Sequence, residues 1–520
     1  MNPELSRIFE KSWRATTKVL FGQELENLAD YSEWLEEYLL PAARRKSHVS
    51  GKEVIVARDA YPKTARFVAA DELALNRNYA LSINDIKDID SIAEALKEKC
   101  EYTGNRVLGN SAFVESSDIV MDSQYVYNST NIEQSSYQYS TYMNRRGSKH
   151  CFGGGWAAAA EFCVMAVGAI ELRRCFESHF IEDCSDLYCC FNCTGCHDML
   201  FSFGQRNRNH VIGNLVLPKE KYAQLKNKLV GEICEKLKAD KRFPSLFTML
   251  PDKAPKSLPN TGLPAKKREE SMEPIEKAFS STCGVLLKKP VGSITLFEGW
   301  LNEHTIRLAE VKTMFGGKTP FPLNFGMVSE MPKSRLASVE ETVELGNVAL
   351  AEKDLSSLDA VIGALGKIAF YTPTWWTGEN TNIIKSPIVL YSTNVYKGFE
   401  STYSENTGLT SLSLHSKYAY GCNRIIDSQF CIRCYNSVYL NRCMELDGCI
   451  KCADSYFCHN SEALQDAMFC FNMKGRHHVI GNTELEKEKY MQVKESLVGQ
   501  MAYLLEKKKS LPWDICKFGT

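Results

Sequence analysis

Residues 422–470, CNRIIDSQFCIRCYNSVYLNRCMELDGCIKCADSYFCHNSEALQDAMFC, place Cys422, Cys431, Cys434, Cys443, Cys449, Cys452, Cys458 and Cys470 at separations that are all multiples of three. A strand repeats every two residues and a helix every 3.6, so a sustained period of three needs a chain that turns regularly. The positions between the cysteines keep the rule: Ser386, Val389, Ser392, Val395, Ser401, Ser404, Thr407, Ser413 and Ala419 precede Cys422, and Ile425, Ser428, Ser437, Leu440 and Leu446 follow it. No charge enters this register. Cys151, Cys163, Cys175, Cys184, Cys190, Cys193 and Cys196 form a second ladder upstream, so 15 of the 20 cysteines obey the triplet. A β-solenoid with one inward side chain per triplet accounts for it, and Cys, Ser and Ala fit a thin lumen. Recurrence at twelve residues, as from Cys151 to Cys163 to Cys175, predicts about four triplets per coil and about seven coils per half. Eighteen residues per coil is the alternative, and handedness is not legible.

Self-similarity extends beyond the ladders. His210-Val211-Ile212-Gly213-Asn214 recurs as His478-Val479-Ile480-Gly481-Asn482, an offset of 268, which also sets Cys163 on Cys431 and Cys190 on Cys458. Upstream the offset becomes 269, with Ser117-Asp118-Ile119-Val120 on Ser386-Pro387-Ile388-Val389, and near the start it is 266, with Trp34 on Trp300. The expected fold class is mixed α/β: two tandem copies of a triplet-period parallel β-solenoid, each flanked by an N-terminal α/β cap and a C-terminal helix.

The expected domains are a cap over 1–115, a solenoid with closing helix over 116–240, a Pro- and Lys-rich linker over 241–273, a second cap over 274–384 and a second solenoid with closing helix over 385–520. In the first cap, helices are expected over 4–20, 26–40 and 85–99 and a strand near 53–57. Closing helices are expected after Pro218, where proline suits a first helical turn, and from Glu484 to about Lys507.

Sixty-two Lys and Arg against 63 Asp and Glu leave a formal charge of −1, which offers nucleic acid no general attraction. The first residues are charged throughout and do not read as a signal peptide, and no apolar run approaches a spanning helix. Cytoplasmic localisation without membrane contact is therefore expected, with the cysteines as thiols or metal ligands.

Two sets of residues invite chemistry. Cys190, Cys193, Cys196 and His197 have a spacing that suits zinc in a loop. Lumen-facing triplets produce the same spacing, and the equivalents Ser461, Leu464 and Gln465 do not keep the ligands. Zinc is thus the one cofactor to consider, with packing the favoured reading and no cofactor expected. The joints after each ladder carry Arg208, His210 and Asn214, matched by Arg476, His478 and Asn482. Such groups could serve an acid–base site, although holding turns and helix ends is the plainer role.

The run from Cys184 to Tyr222, with its cysteine triplets, then FSFGQRNRNHVIGN and KEKY, resembles a family of uncharacterised cysteine-rich proteins of archaea and candidate-phylum bacteria, and HNSEALQDAMFCFNMKGRHHVIGN in the second half is similar. The resemblance implies a shared fold and no activity. The expected function is a structural protein that self-associates through solenoid surfaces into a homo-oligomer or larger assembly. The alternatives are a metal- or nucleic-acid-binding module and an enzyme with its site at the joints.

Overall fold

The fold was analysed in a computed structural model that describes all residues except 38, 41, 74–78, 83, 146, 158–163, 171–173, 178, 183–184, 256–269 and 519–520. Cys163 and Cys184 of the first ladder, and the prolines and basic run of the expected linker within 256–269, lie outside the described residues.

The chain is mixed α/β, and its largest sheet is parallel. Short strands from Trp375–Thr377 to Asn441–Asp447 pair with the strand two elements later, and those from Asn441–Asp447 to His477–Ile480 with the next, so that partners such as Ser401 and Ser413, or Cys431 and Cys443, stand twelve residues apart. Two series of strands rise together and meet on Asn441–Asp447, which pairs with both Gln429–Ile432 and Tyr435–Val438. Strands from Val107–Leu108 to Asn209–Ile212 make a first column, again mostly with a twelve-residue spacing of partners. Each column is closed by a short antiparallel strand, Leu215–Val216 or Thr483–Glu484, and then by a helix, Lys219–Asp240 or Lys487–Lys508.

The inward residues show why Ser and Cys suit the register. The amide of Ser404 donates to Ser392 Oγ at 3.0 Å, and that of Cys434 donates to Cys422 Sγ at 3.4 Å. The same side chains donate onward to carbonyls, Ser392 Oγ to Leu390 at 2.8 Å and Cys422 Sγ to Tyr420 at 3.5 Å. A small inward donor–acceptor therefore satisfies a buried amide that the neighbouring strands leave over. The residue before each inward position is left-handed, with φ of 53° at Tyr418, 57° at Arg424 and 52° at Arg433. Left-handed backbone costs a side-chain-bearing residue about 1–2 kcal/mol, and here it turns each corner and aims that side chain away from the lumen.

The helical elements around the columns follow the sequence closely. Pro3–Phe21 is helical, capped by Asn2, and Ile89–Lys99 begins at the Asp88 cap rather than at 85. The helix expected over 26–40 is a 3-10 turn, Leu28–Tyr31, running into Ser32–Glu36. Glu53–Val56 is a strand, paired with Ala43–Lys46 in a hairpin, and Leu308–Lys312 pairs with Lys318–Pro322 in the same way.

The later part of each N-terminal segment docks on the far column. Leu81 N donates to Gly481 O at 2.8 Å and Leu350 N to Gly213 O at 2.9 Å; Tyr102 OH donates to Ile515 O at 2.8 Å and Tyr371 OH to Leu246 O at 2.5 Å. The columns lie side by side and run in opposite senses, since Arg106 approaches Gly448 while Arg145 reaches Glu400 at 3.3 Å and Trp156 stacks on Phe399 at 6.0 Å. The clefts between the columns are thus walled by residues from both halves of the chain. Among the described residues no helix is long and apolar enough to cross a membrane.

Candidate functional site

The sequence-selected cysteines lie in a buried cluster inside the first column. Cys190, Cys193 and Cys196 are fully buried together with Leu187, Met199 and Val211, and their thiols donate to the carbonyls of Tyr188, Phe191 and Thr194 at 3.3, 3.4 and 3.3 Å. His197 opens the next strand and is exposed, so the structure brings the three thiols together and leaves the imidazole on the outer face.

The joint residues hold the column ends. Asn214 Oδ1 accepts from Phe203 N at 2.8 Å and its Nδ2 donates to Val348 O at 3.0 Å, while Asn482 Oδ1 accepts from Phe471 N at 3.0 Å. His210 packs on Tyr222 and His478 on Tyr490, with ring centres 5.5 and 5.6 Å apart. Arg208 bonds Asn347 at 3.2 Å, and Arg476 pairs with Glu484 at 2.9 Å. Each trio stays at its own column end, and all six side chains fasten neighbouring structure.

A polar cavity lies elsewhere, between the columns. It has a volume of 260 Å³ and is lined by residues from four distant segments, among them Arg58, Asp59, Glu303, His304, Asn423, Arg424 and Asn436. The loop carrying Arg58 is tied to the first column where Ala57 N donates to Asp118 Oδ2 at 2.7 Å, and Asp118 is itself gripped by both ends of the buried Arg106 fork at 2.9 and 2.7 Å. Arg424 and Asn423 come from a corner of the second column, and Asn423 Nδ2 holds His304 O at 2.9 Å.

Two cations of this cavity have no hydrogen-bonded or ion-paired counter-charge among the described residues, although Asp447 acts on Arg58, and Glu133 and Asp118 on Arg424, at longer range. The terminal nitrogens of Arg58 are buried without a hydrogen-bond partner, and its guanidinium lies 4.0 Å from the centre of the Tyr435 ring. Arg424 is only 8% exposed and has neither ion pair nor hydrogen bond among the described residues, and burial lowers its pKa to about 10. The carboxylates on the same wall are already committed, Asp59 to Arg45 at 2.7 Å and Glu303 to Arg433 at 3.1 Å and to Lys517. A buried guanidinium without a partner carries a large desolvation cost, and an anion supplied from solution would relieve it.

His304 stands beside them, edge-on to Tyr435 at 5.4 Å, with Nε2 bonded to Asp514 Oδ2 at 2.5 Å. Burial holds its pKa below the ordinary value against the raising effect of Asp514, and the charges of Arg58 and Arg433 lower it further. The imidazole is therefore neutral near pH 7, oriented by a carboxylate in the manner of an acid–base histidine. His304, Asp514 and Cys516 also place ligand atoms within 4.8 Å of one another. The donor set fits a cation poorly: Arg433 sits on the same Asp514 oxygen at 2.6 Å, and burial pushes the Cys516 thiol well up.

Behind the cavity, Asp447 accepts from Tyr61 OH and from His459 Nδ1 at 3.0 Å, and His459 Nε2 accepts from Thr103 N at 3.0 Å. Burial would raise the Asp447 pKa, but the His459 hydrogen bond and the charges of Arg106 and Arg58 outweigh it and hold the carboxyl well below its usual range. Asp447→Asn should cost ~3 kcal/mol at pH 7, because it strips a buried bonded charge from its partners. A depressed carboxylate contributes above the unfolded value of about 4 and loses that contribution as pH falls through the folded value. Denaturation should show the gap between wild type and Asp447→Asn constant from pH 7 to about 4 and narrowing only below that.

Sequence reasoning missed this site, although one signal was present. Arg424 and Arg433 occupy corner positions whose equivalents at the 268 offset are Trp156 and Met165, so the halves differ in charge where the columns face each other. No protein-family model, curated protein or solved structure matches the chain.

Proposed function

We propose that the chain is two tandem β-solenoids with reciprocally docked caps, and that the cleft between them binds a small organic anion. The unpaired buried guanidiniums of Arg58 and Arg424 on one cavity carry this reading. The twelve-residue pairing and the matched contacts Leu81–Gly481 and Leu350–Gly213 support the duplicated architecture. A reducing cytoplasm suits the eighteen described cysteines, all of them buried.

Comparison of the two halves strengthens the anion reading. At the 266 offset Arg58 and Asp59 become Asn324 and Phe325, His304 becomes Tyr38, and Arg424 becomes Trp156 at 268. Phe325 and Trp156 pack against each other at 5.5 Å, closing the counterpart position with rings. Only one of the two equivalent places keeps the charged set, as expected where charge serves a ligand rather than the fold. His304, oriented by Asp514, adds a group able to exchange a proton with that ligand.

Titration calorimetry with phosphate and malonate tests the proposal. Wild type should bind one dianion per chain, and Arg58→Met should lose roughly 1.5–3 kcal/mol of that affinity, the worth of a charge-assisted hydrogen bond. Absence of binding to wild type would refute it.

Self-association is a second reading, favoured by one observation. Phe113, Tyr125 and Tyr137 stack 5.0 and 4.9 Å apart, and Phe113, 46% exposed, lies on a strand at the open edge of its sheet. Exposed edges invite pairing with another copy. A strict monomer in light scattering at micromolar concentration would count against it.

A further inference from the structure

A second, wider cavity of 550 Å³ abuts the first, and the two share Leu40, Asn324 and Phe325 as common wall. Its character is different. Leu39, Leu323 and Phe325 supply apolar surface, and among the described residues no Arg, Lys or His lines it; Glu37, paired with Arg242 at 3.2 Å, and Glu330 stand at its rim. The charged cavity of 260 Å³ is small for a complete organic ligand, since such sites usually span roughly 300–1,000 Å³.

Building on the anion site, we infer that the ligand is bipartite: a dianionic oxygen headgroup held by Arg58 and Arg424, and an uncharged, largely apolar or aromatic body that passes Leu40 and Phe325 into the second cavity. Two observations fix this division. The two guanidiniums without a direct partner line the first cavity, where they match a dianion. The second cavity offers a further anion no cation among its described lining residues, with Glu330 at its rim and Glu37 already paired to Arg242, which favours a neutral body. Phosphate monoesters and substituted dicarboxylates share this chemistry.

Calorimetry with phenyl phosphate and phenylmalonate, each against its bare headgroup, phosphate or malonate, separates the two sources. The arylated form of the preferred headgroup should bind about tenfold tighter or better, as burial of a ring predicts. Leu323→Glu and, independently, Thr248→Trp alter only the second cavity and lie on exposed positions. Both should abolish the gain from the ring and leave the affinity for the bare headgroup within about twofold. Equal affinity of arylated and bare anions for wild type, or retention of the ring's gain in both variants, would overturn the inference while leaving the anion site standing. Failure of the bare headgroups to bind wild type would instead remove the anion site itself.

Discussion

Replacing Arg424 with leucine should weaken anion binding roughly ten- to a hundredfold and, at the same time, make the ligand-free protein more stable. The side chain is nearly buried, has no carboxylate at ion-pair distance among the described residues, lies beside Leu412 and Val438 of its own column and faces Met143 of the other. Leucine there removes an uncompensated charge and adds apolar contact, a change that stabilises proteins by about 1–4 kcal/mol when buried ions are replaced by well-packed hydrophobic residues. The lost interaction with a bound anion is worth ~1.5–3 kcal/mol, so affinity should fall roughly ten- to a hundredfold. Urea denaturation and calorimetry on the same preparation read both effects. A purely structural arginine would give the opposite sign for stability.

Arg433→Ala should destabilise by ~3–5 kcal/mol, the largest effect expected of any single substitution near the cleft. Arg433 is fully buried, and its guanidinium bonds Glu445, Asp514 and the carbonyl of Trp300 at once. Removing it strands two buried carboxylates. Asp514 also orients His304, and Glu445 Oε2 holds Ile515 N at 3.2 Å, so the C-terminal segment should loosen with them. Arg433→Lys keeps the charge without the fork and should recover only part of the loss. An unfolding free energy within about 1 kcal/mol of wild type for Arg433→Ala would mean that these carboxylates are hydrated in solution.

The two arginines stand at adjoining corners of one column and differ only in what faces them, which explains what the sequence could and could not convey. The inward register was legible because Cys422, Cys431, Cys434 and their neighbours repeat a local geometric rule, and the closing helices were legible because KEKY introduces an amphipathic run in both halves. Corner residues follow no such rule. Arg424, Arg433 and Asp427 all read as solvated charges, and only tertiary packing buries the first two. The cleft was harder still, because Arg58, His304, Arg424 and Asp514 come from four segments brought together by caps that dock on the far column. Pairing of that kind leaves no periodic trace. The conspicuous polar motifs proved local instead: Asn214 and Asn482 fasten chain ends, and Cys190, Cys193 and Cys196 fill a lumen. What did point to the cleft was divergence between the halves, with Arg424 set against Trp156 and Arg58 against Asn324.

The central claim is that the charged cavity between the columns is an anion site. Anomalous diffraction from crystals equilibrated with selenate tests it most directly, because selenate is a dianion whose selenium can be located without assumption. The account predicts a peak inside the cavity within hydrogen-bond distance of the Arg58 or Arg424 guanidinium, absent from crystals of Arg424→Leu. Selenate bound only at exposed lysines and arginines, with the cavity empty at saturating concentration, would contradict it.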